Sequence, residues 1–155
     1  MSRVVLAGPT EARAGAELAV SVVLVDPAGA GAFDLDIAFD PRSMRAVRAG
    51  LGPLLGSTGR TAGALGPILD NAAGRVALGG YSHGPAPGPT ASGELARVVF
   101  QALREGSAVL RIERLVLAGT DGARMAAEAS GLAIAVGRAG SGSKGRRIYL
   151  PTTQR

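Results

Sequence analysis

At 155 residues with no cysteine, 46% hydrophobic and 3% aromatic, the chain is sized for one domain held by its core alone, without disulfides or thiolate metal sites. Its formal charge of +5 sits at one end: residues 1–137 carry twelve Arg against twelve acidic residues, and the surplus is Arg138, Lys144, Arg146, Arg147 and Arg155. A neutral body without Trp lacks the basic patch and stacking rings of a nucleic-acid binder, and no apolar run is long enough to span a membrane.

In chain order, Met1 to Pro9 is too short for the apolar core of a signal segment, so either a cytoplasmic or a mature form is expected. Val4-Val5-Leu6 predicts a short first strand ended by Gly8-Pro9. Leu18 to Val25 is apolar on both faces, which suits a strand in the middle of a sheet. After the turn at Asp26-Pro27-Ala28-Gly29 comes the most regular stretch. Phe33, Leu35, Ile37 and Phe39 alternate there with Ala32, Asp34, Asp36 and Ala38. A period of two sends the four large side chains to one face and both aspartates to the other. Asp40-Pro41 stops the strand.

Met44 to Ala49 predicts a weaker strand, with a helical turn as its rival. Gly50 to Pro67 reads as a glycine-rich loop. Arg75 to Tyr81 is a strand entered through the Asn71-Ala-Ala-Gly74 turn, and the prolines at 85, 87 and 89 make Ser82 to Ser92 a loop. Strands follow at Glu94–Leu103, where Val98, Val99 and Phe100 favour the extended form, and then at Val109–Ile112, Arg114–Leu117 and Leu132–Val136. Thr120-Asp-Gly is a turn. These elements predict an all-β antiparallel sandwich of jelly-roll type, with about nine strands, over residues 1–137. A Gly/Ser linker at 138–145 and a short apolar tag at 146–155 follow.

Several residue groups bear on chemistry. Asp34 and Asp36 stand about 7 Å apart on one face. Paired carboxylates can perform glycosidic acid–base work, but a solvated outer face is the reading preferred here. His83, the only histidine, lies in a Gly/Pro loop and reads as surface. Asp121 lacks the alternating Asp spacing of a calcium loop and reads as a turn residue. The glycines from Gly50 to Gly66 lack the Lys-Ser/Thr of a phosphate loop. No catalytic residue, metal site or cofactor is expected. Leu150-Pro-Thr-Thr153 matches Leu-Pro-x-Thr, although Gln154 replaces the usual glycine. The trio Ile148, Tyr149 and Leu150 on its tether reads either as a contact segment for a groove or sheet edge, or as a disordered end.

The order of segments resembles a cohesin module over roughly residues 3–137. The resemblance is carried by the segment opening at Gly15 with Val20 and Val22, and by the Phe39-Asp40-Pro41 strand end with Met44 where the family usually has leucine. Gly93-Glu-Leu-Ala-Arg-Val-Val-Phe100, Gly106-Ser-Ala-Val-Leu110, Thr120-Asp-Gly and Gly131-Leu-Ala-Ile-Ala-Val136 complete it. Carbohydrate-binding sandwiches related to cohesins show a similar pattern. The resemblance implies a non-catalytic, extracellular or cell-surface module that holds a calcium-loaded dockerin-like partner on one sheet face, with polysaccharide in its surroundings. By position it places Asp34, Asp36, Leu78, Gly80 and Tyr81 at that contact. The alternative is a filament or surface-layer subunit whose tail adds a strand to its neighbour.

Overall fold

The structure, a computed structural model, describes residues 1–138. Residues 139–155, which include the tract expected to be a linker and the expected contact trio Ile148, Tyr149 and Leu150, lie outside the described residues. Twelve strands run in order: β1 (Ser2–Ala7), β2 (Glu11–Arg13), β3 (Glu17–Val25), β4 (Ala30–Ala38), β5 (Met44–Leu51), β6 (Thr61–Asp70), β7 (Arg75–His83), β8 (Gly93–Ala102), β9 (Gly106–Gly119), β10 (Arg124–Met125), β11 (Ala127–Ser130) and β12 (Leu132–Gly137). The smaller sheet has the order β11-β1-β3-β8-β5. The larger has β2-β12-β9-β4-β7-β6, with β10 paired on β9. The molecule is thus an all-β sandwich. Its pairs are antiparallel except β1 with β11 and β12 with β2.

The period of two builds the core. Phe33, Leu35 and Ile37 of β4 turn inward with Leu110 and Leu117 of β9 and Ile134 of β12, and they meet Val20, Val22 and Leu24 of β3 with Val98 and Phe100 of β8. Burial of each such side chain contributes about 1.5–3 kcal/mol. Phe39 and Phe100 pack edge to face, ring centroids 5.4 Å apart at 74°. β3 runs between β1 and β8 at the middle of its sheet, and its outward Ser21, Val23 and Val25 are half-buried.

Three expectations need correction. The stretch Gly50–Pro67 is not one loop. A 3-10 turn at Leu54–Gly56 buries Leu54 and Leu55 in the core, and β6 starts at Thr61. Pro67 fits inside β6 because that strand is at a sheet edge and its register shifts between Leu65 and Ile68. The separate strands expected at Val109–Ile112 and Arg114–Leu117 are one strand, β9. Its register against β4 shifts between Asp36 and Ile37, which leaves Glu113 as the extra residue. β2, β10 and β11 are additional; they are short and have no alternation long enough to read.

Candidate functional site

β4 lies between β7 and β9 in the larger sheet, and its outward residues belong to rows that cross four strands. Register places Gly63, Tyr81, Ala32 and Ala118 in one row and Leu65, Gly79, Asp34 and Val116 in the next. Ile68, Ala77, Asp36 and Arg114 form a third. The outer face therefore has two ends of different chemistry. At one, Leu65 is 55% exposed, Ile68 67% and Tyr81 42%. At the other, charged side chains form a ladder.

Arg114 organises that ladder. It donates to Asp34 Oδ1 at 2.9 Å and, through Nε, to Asp36 Oδ2 at 3.3 Å. Those hydrogen bonds, Asp34 first and Asp36 second, hold the guanidinium's pKa further above its already high ordinary value. Arg75 continues the line, 4.0 Å from Asp36 and 2.8 Å from Glu113, which also meets Arg111 at 3.4 Å. The Asp34 side chain remains 51% exposed while that of Asp36 is reduced to 14%. The aspartates expected to face water thus share one cation from β9. A pair bridged in this way on an open face lacks the cleft between two free carboxyls that glycoside chemistry uses.

Tyr81 and the two aspartates come together on the outer face. Leu78 and Gly80 do not. Leu78 pairs with Leu35 and Gly80 with Phe33, so both turn into the core and are buried. Their assignment to the contact is corrected by the same alternation that exposes Tyr81. His83 ends β7, exposed, with its ring stacked on Tyr81 at 6.4 Å and 20°, so it extends the aromatic surface. Asp121 accepts a hydrogen bond from the Ala123 N–H at 3.0 Å, as a turn residue does. Sequence reasoning missed Arg114, Leu65 and Ile68. The first needs the β4–β9 register, and the other two lie in the stretch read as loop.

The loop beside this face is fixed by Arg60. Its guanidinium donates to the Gly84 carbonyl at 2.7 Å, the Ala86 carbonyl at 2.8 Å and the Ser82 hydroxyl at 2.9 Å. Among the described residues no group of three or more His, Asp or Glu could hold a metal ion. No helix among them is long and apolar enough to cross a membrane.

No family model and no curated protein sequence matches the chain. Solved structures do match its fold. It is similar to a chain of a type I cohesin–dockerin complex from Clostridium thermocellum, with a TM-score of 0.70 and 10% identity over 89% of this chain and 94% of that one. A type II cohesin domain from the cellulosome of Acetivibrio cellulolyticus gives 0.69 and 15% identity over 86% and 95%. The non-cellulosomal cohesin of the hyperthermophilic archaeon Archaeoglobus fulgidus gives 0.67 and 14% identity over 87% and 90%. The fold is cohesin-like.

Proposed function

We propose that this cohesin-like sandwich is a non-catalytic module that binds a dockerin-like protein on the outer face of its larger sheet. The observation that carries this reading is the exposed cluster of Tyr81, Leu65 and Ile68 beside the Asp34–Arg114–Asp36 ladder. An aromatic anchor and aliphatic neighbours bordered by paired charges have the anatomy of an interface centre with a polar rim. A specific contact needs roughly 800 Å² from each partner, and the outer face offers rows that cross four strands on which to build one. The setting this implies is extracellular or on the cell surface. The fold neighbours solved as cohesin–dockerin complexes support the class of partner.

The test is calorimetric titration of the full chain with calcium-loaded dockerin modules encoded in the same genome. At least one should bind with a Kd of about 1 μM or tighter, and Tyr81→Ala should weaken it about tenfold or more. Absence of binding across the set, or binding indifferent to Tyr81 and Asp34 substitutions, overturns the reading.

A second reading, a filament subunit linked by strand donation from residues 146–155, draws support from β5 and β6, which stand at sheet edges. Size-exclusion of the full chain against a form ending at Gly137 tests it. Equal elution of the two forms defeats it.

A further inference from the structure

The other side of the sandwich carries a groove of about 530 Å³ at the β5 edge of the smaller sheet. That volume lies in the range of ligand sites, about 300–1,000 Å³. Its lining includes Arg48, Gly50, Leu51, Arg97 and Val99, together with one carboxylate, Glu94. We propose that this groove is a second binding site, distinct from the outer face of the larger sheet, and that it takes an acidic peptide segment in extended form.

The register builds the groove. Arg48 pairs with Val99 and Gly50 with Arg97, so the two guanidiniums flank a position with no side chain. A Cβ at Gly50 would meet nothing within 4 Å, whereas one at Gly52 would stand 2.5 Å from the Glu94 carbonyl oxygen. Gly52 thus draws the strand end tightly against β8, and Gly50 leaves the space open.

The donors favour carboxylates. Arg97 meets Glu94 through Nε at 3.0 Å and Arg48 meets Glu17 at 3.5 Å, and both arginine side chains stay more than half exposed. A guanidinium carries five N–H donors, so each retains donors in the fork geometry that matches a carboxylate. Glu94 is already occupied by Arg97 and the Ser21 hydroxyl. Arg45, further along β5, donates to the Gln101 side-chain oxygen at 3.4 Å and has no carboxylate partner among the described residues.

The backbone favours a peptide. β5 is an edge strand that pairs with β8 alone. At Ala46 the side-chain amide of Asn71 takes the place of a neighbouring strand: it accepts from the Ala46 N–H at 2.7 Å and donates to the Ala46 carbonyl at 3.0 Å. No such amide covers Arg48 and Ala49 among the described residues, while Leu65, Gly66 and Pro67 of β6 lie beside Gly50 and Leu51. An extended peptide offers amides to that edge and side chains at alternate positions to the arginines. No aromatic ring lines the groove to stack a sugar. The chain's own basic residues beyond 137 would bring like charge to it.

The test is fluorescence anisotropy on the full chain with a labelled, acetylated peptide of alternating glutamate and valine. Its glutamine counterpart and trigalacturonate serve as competitors. The glutamate peptide is expected to bind. Arg48→Gln and Gly50→Leu should each weaken it about tenfold, with unchanged melting, while Tyr81→Ala leaves it unaffected. Because Gly50 faces open space, its variant keeps the fold while filling the groove. No binding at millimolar peptide, equal binding of the glutamine peptide, preferential binding of trigalacturonate, or indifference to both groove variants would each overturn the proposal.

Discussion

The ring of Tyr81 lies across the backbone of Gly63. The two residues face each other in the β6–β7 register, and a Cβ at position 63 would stand 2.5 Å from both Cζ and Oη of the phenol. The glycine lets the ring lie flat over an edge strand that has little side-chain surface of its own. Held there, Tyr81 stays 42% exposed and stacks with His83. A flat, orientated ring loses little side-chain freedom on binding, which suits it to the anchor role.

Gly63→Ala should therefore move Tyr81 with little effect on the fold. The added methyl displaces the far end of a side chain that can rotate away, and the stability change should stay within about 1 kcal/mol. Affinity for the partner should fall about tenfold. Ring chemical shifts of Tyr81, followed with the melting midpoint, check both halves. A large drop in the midpoint would make the ring a structural lid instead of an anchor.

Phe39→Ala removes one half of the edge-to-face pair with Phe100 at the heart of the sandwich. Phe39 is buried in a core cluster drawn from both sheets. Equilibrium unfolding in urea should show a loss of about 3–5 kcal/mol. A loss under about 1 kcal/mol would mean that the site collapses freely and that this pair does not join the layers.

Why some of this was legible follows from where each residue's partners lie. The alternation Phe33–Phe39 declares β4 because its inner face is dry and its outer face wet, so the pattern is written within one strand. The inward turn of Leu78 and Gly80 was available from the same period. Tyr81, the odd-numbered neighbour, belongs to the other face, so β7 serves the core and the outer face with alternate residues. The ion ladder was not legible, since Arg114 and Asp34 are separated by 80 positions. Their meeting depends on a register with a bulge that no local pattern encodes. β6 was hidden because two glycines and a proline in Thr61–Asp70 erase its alternation; pairing with β7 makes it a strand.

Acid should act partly through the turn after β4. Asp40 accepts hydrogen bonds from the Arg42 N–H at 2.9 Å and from its guanidinium at 3.3 Å. The backbone bond first and the side-chain bond second lower the carboxyl's pKa below its ordinary 3.8. A depressed carboxylate contributes stability that is fully present above the unfolded-state value and lost as pH falls through the folded one. Chemical-denaturation midpoints should therefore decline below about pH 4, and Asp40→Asn should flatten that part of the curve. An unchanged slope in the variant would assign the acid sensitivity to other carboxylates.

The last prediction separates the two faces of β7. An alanine Cβ at Gly80 would stand 2.5 Å from Cδ1 of Leu51, which packs against the core, and 2.9 Å from Cε1 of the buried Phe33. Gly80→Ala should then overpack the core at a cost of about 1–3 kcal/mol. Leu78→Ala should leave a cavity costing about 2–5 kcal/mol. Neither side chain reaches the outer face, so calorimetry on the folded protein should give partner affinities within about twofold of the parent. Tyr81→Ala should do the reverse, with affinity falling while the unfolding midpoint barely moves, because its ring already faces outward. If Gly80→Ala abolishes binding in a protein that is still folded, the partner engages the sandwich somewhere other than the Tyr81–Asp34 face.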